Sequence, residues 1–341
     1  MKVSTLVDLS VRRVARIVEP IGFMATGKPT PSAALVVASS SRSGSTWLAD
    51  MLSLTLRLQQ VFEPLHPKHN AAVRRLTGFD PNQDHAYYLR ASDAYPDWNR
   101  LLQAILTGRI RSHWTDAVPT IWFPQGYLIK MIRANLMLGY ISDQFHPKLI
   151  YLVRHPCAVV HSRLKMGWTT NAGAFLAQEN LVEDYLQPWV SQIEREDNVV
   201  GSHALGWAIE NLVAQRELST RPHYRIFYEH LIMDTAQETR RITDYVGLKA
   251  SEIPEGVIEH SSRTSHRFAI QAPVDRLVSW KKGLSQEDQL RVLDWANRLG
   301  ISWYNMEPMP NDSSGRRSPP GDGTADVSMT VPSVERLQCV C

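Results

Sequence analysis

Two short runs of this chain carry the residue types that hold anionic groups. The first is Ser41-Arg42-Ser43-Gly44-Ser45-Thr46-Trp47-Leu48. It follows an apolar stretch at 33–39 and opens a helical pattern over about 45–58. A helix start offers unpaired backbone N–H groups and the positive end of the dipole, and both suit a phosphate. Gly44 lets the backbone come close to a ligand. The hydroxyls of Ser43, Ser45 and Thr46 add donors, and Arg42 places a fixed cation beside the anion. An ordinary Ser-rich helix cap would have the same composition. The usual triphosphate loop ends in Gly-Lys-Ser/Thr. Here Ser45 follows Gly44, so the lysine is missing, which argues against ATP or GTP chemistry.

The second run is Arg154-His155-Pro156 through Ser162-Arg163. Arg154 ends the apolar stretch 149–153, and Pro156 sits where a helix begins. Arg154 and Ser162 can pinch a phosphate between a strand end and a helix face, although an Arg after a strand is more often a solvated cation. On its residues alone, Trp280-Lys281-Lys282-Gly283 reads as a solvated lysine pair.

The elements that position these runs alternate in type. Residues 33–39, 127–132, 149–153 and 224–228 read as strands. Leu205, Ala208, Ile209 and Leu212 mark an amphipathic helix over 203–218. Thr235 and Glu238 make a capping-box pattern for a helix ending near Gly247. Ser285 opens a last helix, with Glu287 and Asp288 in its first turn. The expected fold is α/β, a parallel central sheet flanked by helices, with ligands bound beyond the carboxyl ends of the strands. Residues 64–126 and 167–200 have weak periodicity and read as insertions that shape an acceptor pocket. The domain is expected over 31–305, after an N-terminal amphipathic segment (1–30) and before a disordered tail (306–341).

The run at 41–48 resembles the 5′-phosphosulfate-binding loop of the sulfotransferase family. Arg154, Pro156 and Ser162 resemble its 3′-phosphate motif, in which an acidic residue usually stands where this chain has His155. The resemblance extends over about 33–302. It implies a P-loop-like nucleotide-binding sulfotransferase fold and 3′-phosphoadenosine 5′-phosphosulfate (PAPS) as sulfuryl donor, with no metal required. It implies that Arg42, Ser43, Gly44, Ser45 and Thr46 hold the 5′-phosphate and sulfuryl group. Trp47 would lie near the adenine, or else serve as a core tryptophan. Arg154, Ser162 and Arg163 would hold the 3′-phosphate, and Lys281 and Lys282 would close over the nucleotide. The Tyr228-Glu229-His230-Leu231 segment also resembles the family and is taken as structural.

Sulfuryl transfer needs a base for the acceptor proton and cations on the leaving side. Val61-Phe62-Glu63-Pro64-Leu65-His66 resembles a segment of the carbohydrate-type branch, which makes Glu63 the candidate general base and His66 the reserve. The cytosolic small-molecule branch uses a His two residues after a strand Lys. Here that position after Lys130 is Ile132, which cannot accept a proton. Lys130 and Arg133, with Arg42, are candidate transition-state stabilisers. The expected acceptor is a sugar or glycolipid hydroxyl, the alternatives being a non-sugar alcohol, a nucleotide-dependent kinase, or a nucleotide binder that has lost activity.

The chain has 341 residues, 43% hydrophobic and 21% charged, with a net charge of +3. That excess is too weak for a protein dedicated to nucleic-acid polymers. Its three cysteines, Cys157, Cys339 and Cys341, make no disulfide framework and fit a reducing, cytoplasmic setting. No apolar run is long enough to span a membrane. The charged N-terminus does not read as a secretory leader. An amphipathic helix over 3–18 either packs on its own domain or touches an anionic membrane surface.

Overall fold

Leu35–Ser39 is buried along its whole length. A strand is covered that completely when it has neighbours on both edges and layers on both faces. This strand, β1, is the centre of a five-stranded sheet in the structure, a computed structural model. The structure describes Phe23 and residues 27–78, 86–118, 120–249 and 273–311. The other strands are β2 (Leu58–Phe62), β3 (Gly126–Met131), β4 (Lys148–Val153) and β5 (Tyr224–Phe227). Their order is β2-β3-β1-β4-β5, and every pairing is parallel.

Strand alternation divides the core into two layers. Leu35, Val37, Leu128, Ile150 and Leu152 face one layer, and Val36, Ala38, Ile129, Met131 and Tyr151 face the other. The first layer is covered by α1 (Ser45–Thr55) and, later in the chain, the helix Thr235–Val246. The second is covered by α2 (Ala71–Thr77), α3 (Pro96–Leu106), α4 (Leu138–Phe145), α5 (Pro156–Lys165) and α6 (Val199–Leu218). After β5 come α7 (Tyr228–Met233), α8 (the Thr235–Val246 helix), α9 (Pro273–Gly283) and α10 (Gln286–Arg298). The sheet is the α/β architecture expected from the sequence.

Several boundaries differ from the sequence pattern. The helix expected over 45–58 stops at Thr55, and Arg57, at φ 49°, turns the chain into β2. That strand was hidden because Gln59 and Gln60, though buried, interrupt its apolar run. The strand expected over 224–228 ends at Phe227, and Tyr228 opens α7. The cap of α8 is Asp234, one residue before Thr235; its carboxylate accepts from Gln237 N at 3.0 Å. Helix α6 begins at Val199 because Asn198 Oδ1 accepts from Val200 N at 2.8 Å. Helix α3 lies in the region read only as an insertion.

Of the tail expected over 306–341, residues 306–311 are described and lie against the domain. Asn311 N donates to Trp303 O at 2.7 Å, and Glu307 pairs with Lys281 at 3.6 Å. The rest of the tail, with Cys339 and Cys341, and the expected helix at 3–18 lie outside the described residues. Among the described residues no helix is long and apolar enough to cross a membrane.

Candidate active site

The carboxyl ends of all five strands open onto one cleft of about 360 Å³. Its walls include the turn after β1, Phe62 and Glu63 after β2, Lys130 and Ile132 at β3, Arg154 after β4 and Tyr228 after β5. Chain direction across the sheet switches at β1, the place where open parallel sheets form a ligand crevice.

The turn after β1 is built to bring backbone close to a ligand. Arg42 (φ 72°) and Gly44 (φ 94°) both adopt left-handed conformations. A Cβ on Gly44 would fall 2.4 Å from the Tyr228 ring, so no larger residue fits there. Ser45 and Thr46 begin α1 and line the cleft, as does Trp47. The turn is held from beneath by a buried network. Asn211 Nδ2 donates to Ser40 Oγ at 3.1 Å, and Tyr151 OH donates to Asn211 Oδ1. Ser43 is buried and does not line the cleft.

The second anion motif meets the first in space. Arg42 Nε donates to Ser162 Oγ at 3.0 Å, and Arg154 Nη1 donates to Arg42 O at 3.0 Å. Arg154 also lies over the Tyr228 ring at 4.4 Å, and its Nη2 donates to Arg276 O at 3.3 Å. Burial pushes the Arg42 guanidinium below its ordinary pKa, Arg154 adds to that, and Glu63 opposes it. An electropositive cleft of this kind is relieved by a bound anion. Along α5, Ala158, His161, Ser162 and Lys165 line the cleft. Their i, i+3, i+4, i+7 spacing is one helix face.

Three candidate cations lie elsewhere. Arg163 is one residue past Ser162, so it points roughly 100° around the helix. It is buried behind the turn, paired with Glu210 at 3.4 Å. Lys281 turns to Glu307, and Lys282 is exposed; neither lines the cleft. The α9 residues that do line it are Arg276 and Ser279. Gly283 has a packing role, since a Cβ there would fall 2.0 Å from His161 Nε2.

His155, standing where the family pattern has an acid, is a helix cap outside the cleft. Its Nδ1 accepts from Cys157 N at 3.2 Å, and its Nε2 contacts Asn305 O at 3.0 Å. That pair of partners fixes the neutral ring with its proton on Nε2. The ring stacks on Trp280, with centroids 4.3 Å apart. Burial lowers its pKa to about 3 from an ordinary 6.5. The unfolded chain therefore binds this proton first, and stability is lost as pH falls from about 6.5 toward 3. His203, with its pKa lowered to about 4 by burial and then by Arg163, acts in the same direction. His155→Gln keeps a cap acceptor and cannot titrate. Its loss of stability in acid should be shallower by up to about 1.4 kcal/mol per pH unit. Calorimetric melts between pH 7 and 4.5 check this; equal slopes in the two proteins would remove His155 from the account.

Glu63 sits at the end of β2 with φ 42°, and its N–H donates to Lys130 O at 3.0 Å. This strained backbone turns the carboxylate onto Lys130 Nζ, which donates to Glu63 Oε1. Lys130 is fully buried, and its Nζ also lies 4.5 Å from the Phe62 ring centroid. Burial lowers the Lys130 pKa, with Glu63 opposing. Ile132, Arg133 and His66 also line the cleft. Phe62, His66 and Trp114 form an aromatic wall in which His69 stacks on Trp114 at 4.0 Å. Trp168, 39% exposed, lines the cleft near Arg42, 5.8 Å from its guanidinium.

Sequence reasoning singled out neither His161, Lys165, Trp114, Trp168 nor Arg276, and took Tyr228 as structural. The spacing around Ser162 was signal enough for His161 and Lys165. Trp114 and Trp168 reach the cleft from segments with no local pattern.

Solved structures give distant likenesses. A sulfotransferase domain from the curacin biosynthetic pathway is 18% identical, with 78% of this chain and 96% of that chain covered and a TM-score of 0.43. A sulfotransferase domain from the Synechococcus PCC 7002 olefin synthase is 18% identical, with 82% and 98% covered and a TM-score of 0.41. A sulfotransferase from Mycobacterium tuberculosis H37Rv is 14% identical, with 84% and 82% covered and a TM-score of 0.39. Scores this low bear on neither the acceptor nor the site. No curated protein matches the chain. The sulfotransferase family model, in contrast, matches residues 34–252, more than half of the sequence. On that match the chain belongs to the sulfotransferase family.

Proposed function

We propose that this protein transfers a sulfuryl group from PAPS to a hydroxyl of a sugar or glycolipid, with Glu63 as general base. The observation that carries the reading is the convergence of Glu63, the turn at 41–46 and the Arg154–Ser162 pair on one cleft. PAPS supplies the sulfuryl group and leaves as adenosine 3′,5′-bisphosphate. The backbone at 42–46 and the hydroxyls of Ser45 and Thr46 bind the 5′ end, and Arg154 and Ser162 bind the 3′-phosphate. Glu63 takes the proton from the acceptor hydroxyl while that oxygen forms its bond to sulfur. Arg42 and Lys130 balance the charge that builds on the leaving oxygen. Lys130 also aims the carboxylate, through the hydrogen bond from its Nζ to Glu63 Oε1.

The aromatic wall supports a sugar acceptor. An aromatic face is electron-rich, and the C–H bonds on one side of a sugar ring are weakly positive. Phe62, His66 and Trp114 offer such surfaces beside Glu63, and Trp168 adds another at the rim. The test is labelled PAPS incubated with sugars, glycolipids and non-sugar alcohols. Label is expected on the sugar-bearing acceptors. Label only on non-sugar alcohols would overturn the acceptor class, and no affinity for adenosine 3′,5′-bisphosphate would overturn the donor.

A further inference from the structure

We infer that His161 is a further donor-binding residue, which takes up a proton from solvent as the 3′-phosphate of the nucleotide enters the cleft. The inference rests on the donor reading above. His161 lies on the cleft-lining face of α5, next to Ser162 and one turn before Lys165. Its Nε2 edge is packed against Gly283 of α9, so the ring is held in place.

The charges around it are one-sided. Arg154 at the end of β4 and Lys165 on its own helix both act on it as cations. On α9, Lys281 and Lys282 directly precede Gly283, and Arg276 lines the same cleft. The acid of that helix, Asp275, is exposed near its opposite end. Burial and then Lys165 and Arg154 hold the imidazole below its ordinary pKa, so the empty cleft keeps it neutral near pH 7. A dianionic phosphate placed between Arg154 and Ser162 reverses the local sign. It offsets the two cations and offers His161 a charge-assisted hydrogen bond, which favours the imidazolium.

Calorimetry of the full chain with adenosine 3′,5′-bisphosphate, in buffers of different ionisation enthalpy at pH 7, counts the protons exchanged. His161→Gln serves as control, because protons lost by the ligand's own phosphates cancel between the two proteins. Wild type should take up about half a proton more than the variant. That difference should vanish with adenosine 5′-phosphate, which lacks the 3′ group. Wild-type affinity should also fall as pH rises through neutrality, by no more than about tenfold per pH unit for one coupled proton, and more steeply than in the variant. Equal proton counts in the two proteins would overturn the role of His161 and leave the donor reading standing. Failure of wild type to bind the bisphosphate would overturn the donor reading itself.

Discussion

Glu63→Gln should lower turnover by about 10²- to 10⁴-fold, the range for loss of a positioned base. Affinity for adenosine 3′,5′-bisphosphate should change by less than about threefold, because in the proposed reaction the carboxylate meets the acceptor hydroxyl and not the phosphates. The substitution is nearly isosteric, but it also removes the partner of a fully buried lysine. Breaking a buried ion pair on one side costs about 3–5 kcal/mol of stability, so lost activity alone would not separate a base from a structural anion. The double variant Glu63→Gln/Lys130→Met separates them. It removes both charges, so stability should return. Turnover should stay low, because the proposed base and the proposed stabiliser of the leaving oxygen are both gone. A double variant that recovered wild-type turnover would reduce Glu63 to a counter-ion for Lys130. Thermal melts and steady-state rates on the wild type and the two variants are the measurements.

Much of this site was legible in the chain because anion-binding chemistry is local. A strand, a Ser/Gly turn and a helix start are contiguous, so 41–48 declared itself, and Arg154 with Ser162 did the same. The two runs differ in sequence position by more than a hundred residues, yet Arg154 Nη1 reaches Arg42 O. That union follows from β1 and β4 being sheet neighbours. Glu63 was a different case. Nothing local marks it, and it was found only through family resemblance. What marks it physically is its left-handed backbone at the end of β2, and the register that puts Phe62 beside Lys130. Reading that register required recognising β2, whose residues after Leu58 the sequence pattern assigned to no element. The cations Arg163, Lys281 and Lys282 show the opposite difficulty. An Arg or Lys near a motif serves equally well as a buried ion-pair partner or a solvated surface charge. Only the helix face separates Arg163, turned inward to Glu210, from Ser162, turned to the cleft. The aromatic lining of the cleft was the least legible, because Trp114 and Trp168 stand on irregular segments where no periodicity points.

Arg154→Ala should weaken adenosine 3′,5′-bisphosphate by about 10²-fold, the scale of losing a fork of hydrogen bonds between two charged groups. Adenosine 5′-phosphate should lose about tenfold at most. The comparison matters because Arg154 has two tasks in the fold. Its Nη1 holds the carbonyl of Arg42 and its Nη2 holds that of Arg276, so it ties the phosphate turn to α9. Cutting that tie loosens the turn and weakens any ligand held at the 5′ end. A residue that only ties would therefore reduce both affinities by the same factor. A residue that also grips the 3′-phosphate reduces one far more, because the second ligand has nothing at that position to lose. Arg154→Lys sharpens the distinction. Lysine keeps the charge but not the planar fork that can hold two carbonyls while facing a phosphate. Its loss for the bisphosphate should fall between wild type and Arg154→Ala, while its loss for the 5′-phosphate should match that of Arg154→Ala. Equal ratios for the two nucleotides in both variants would move the 3′-phosphate away from β4 and the start of α5.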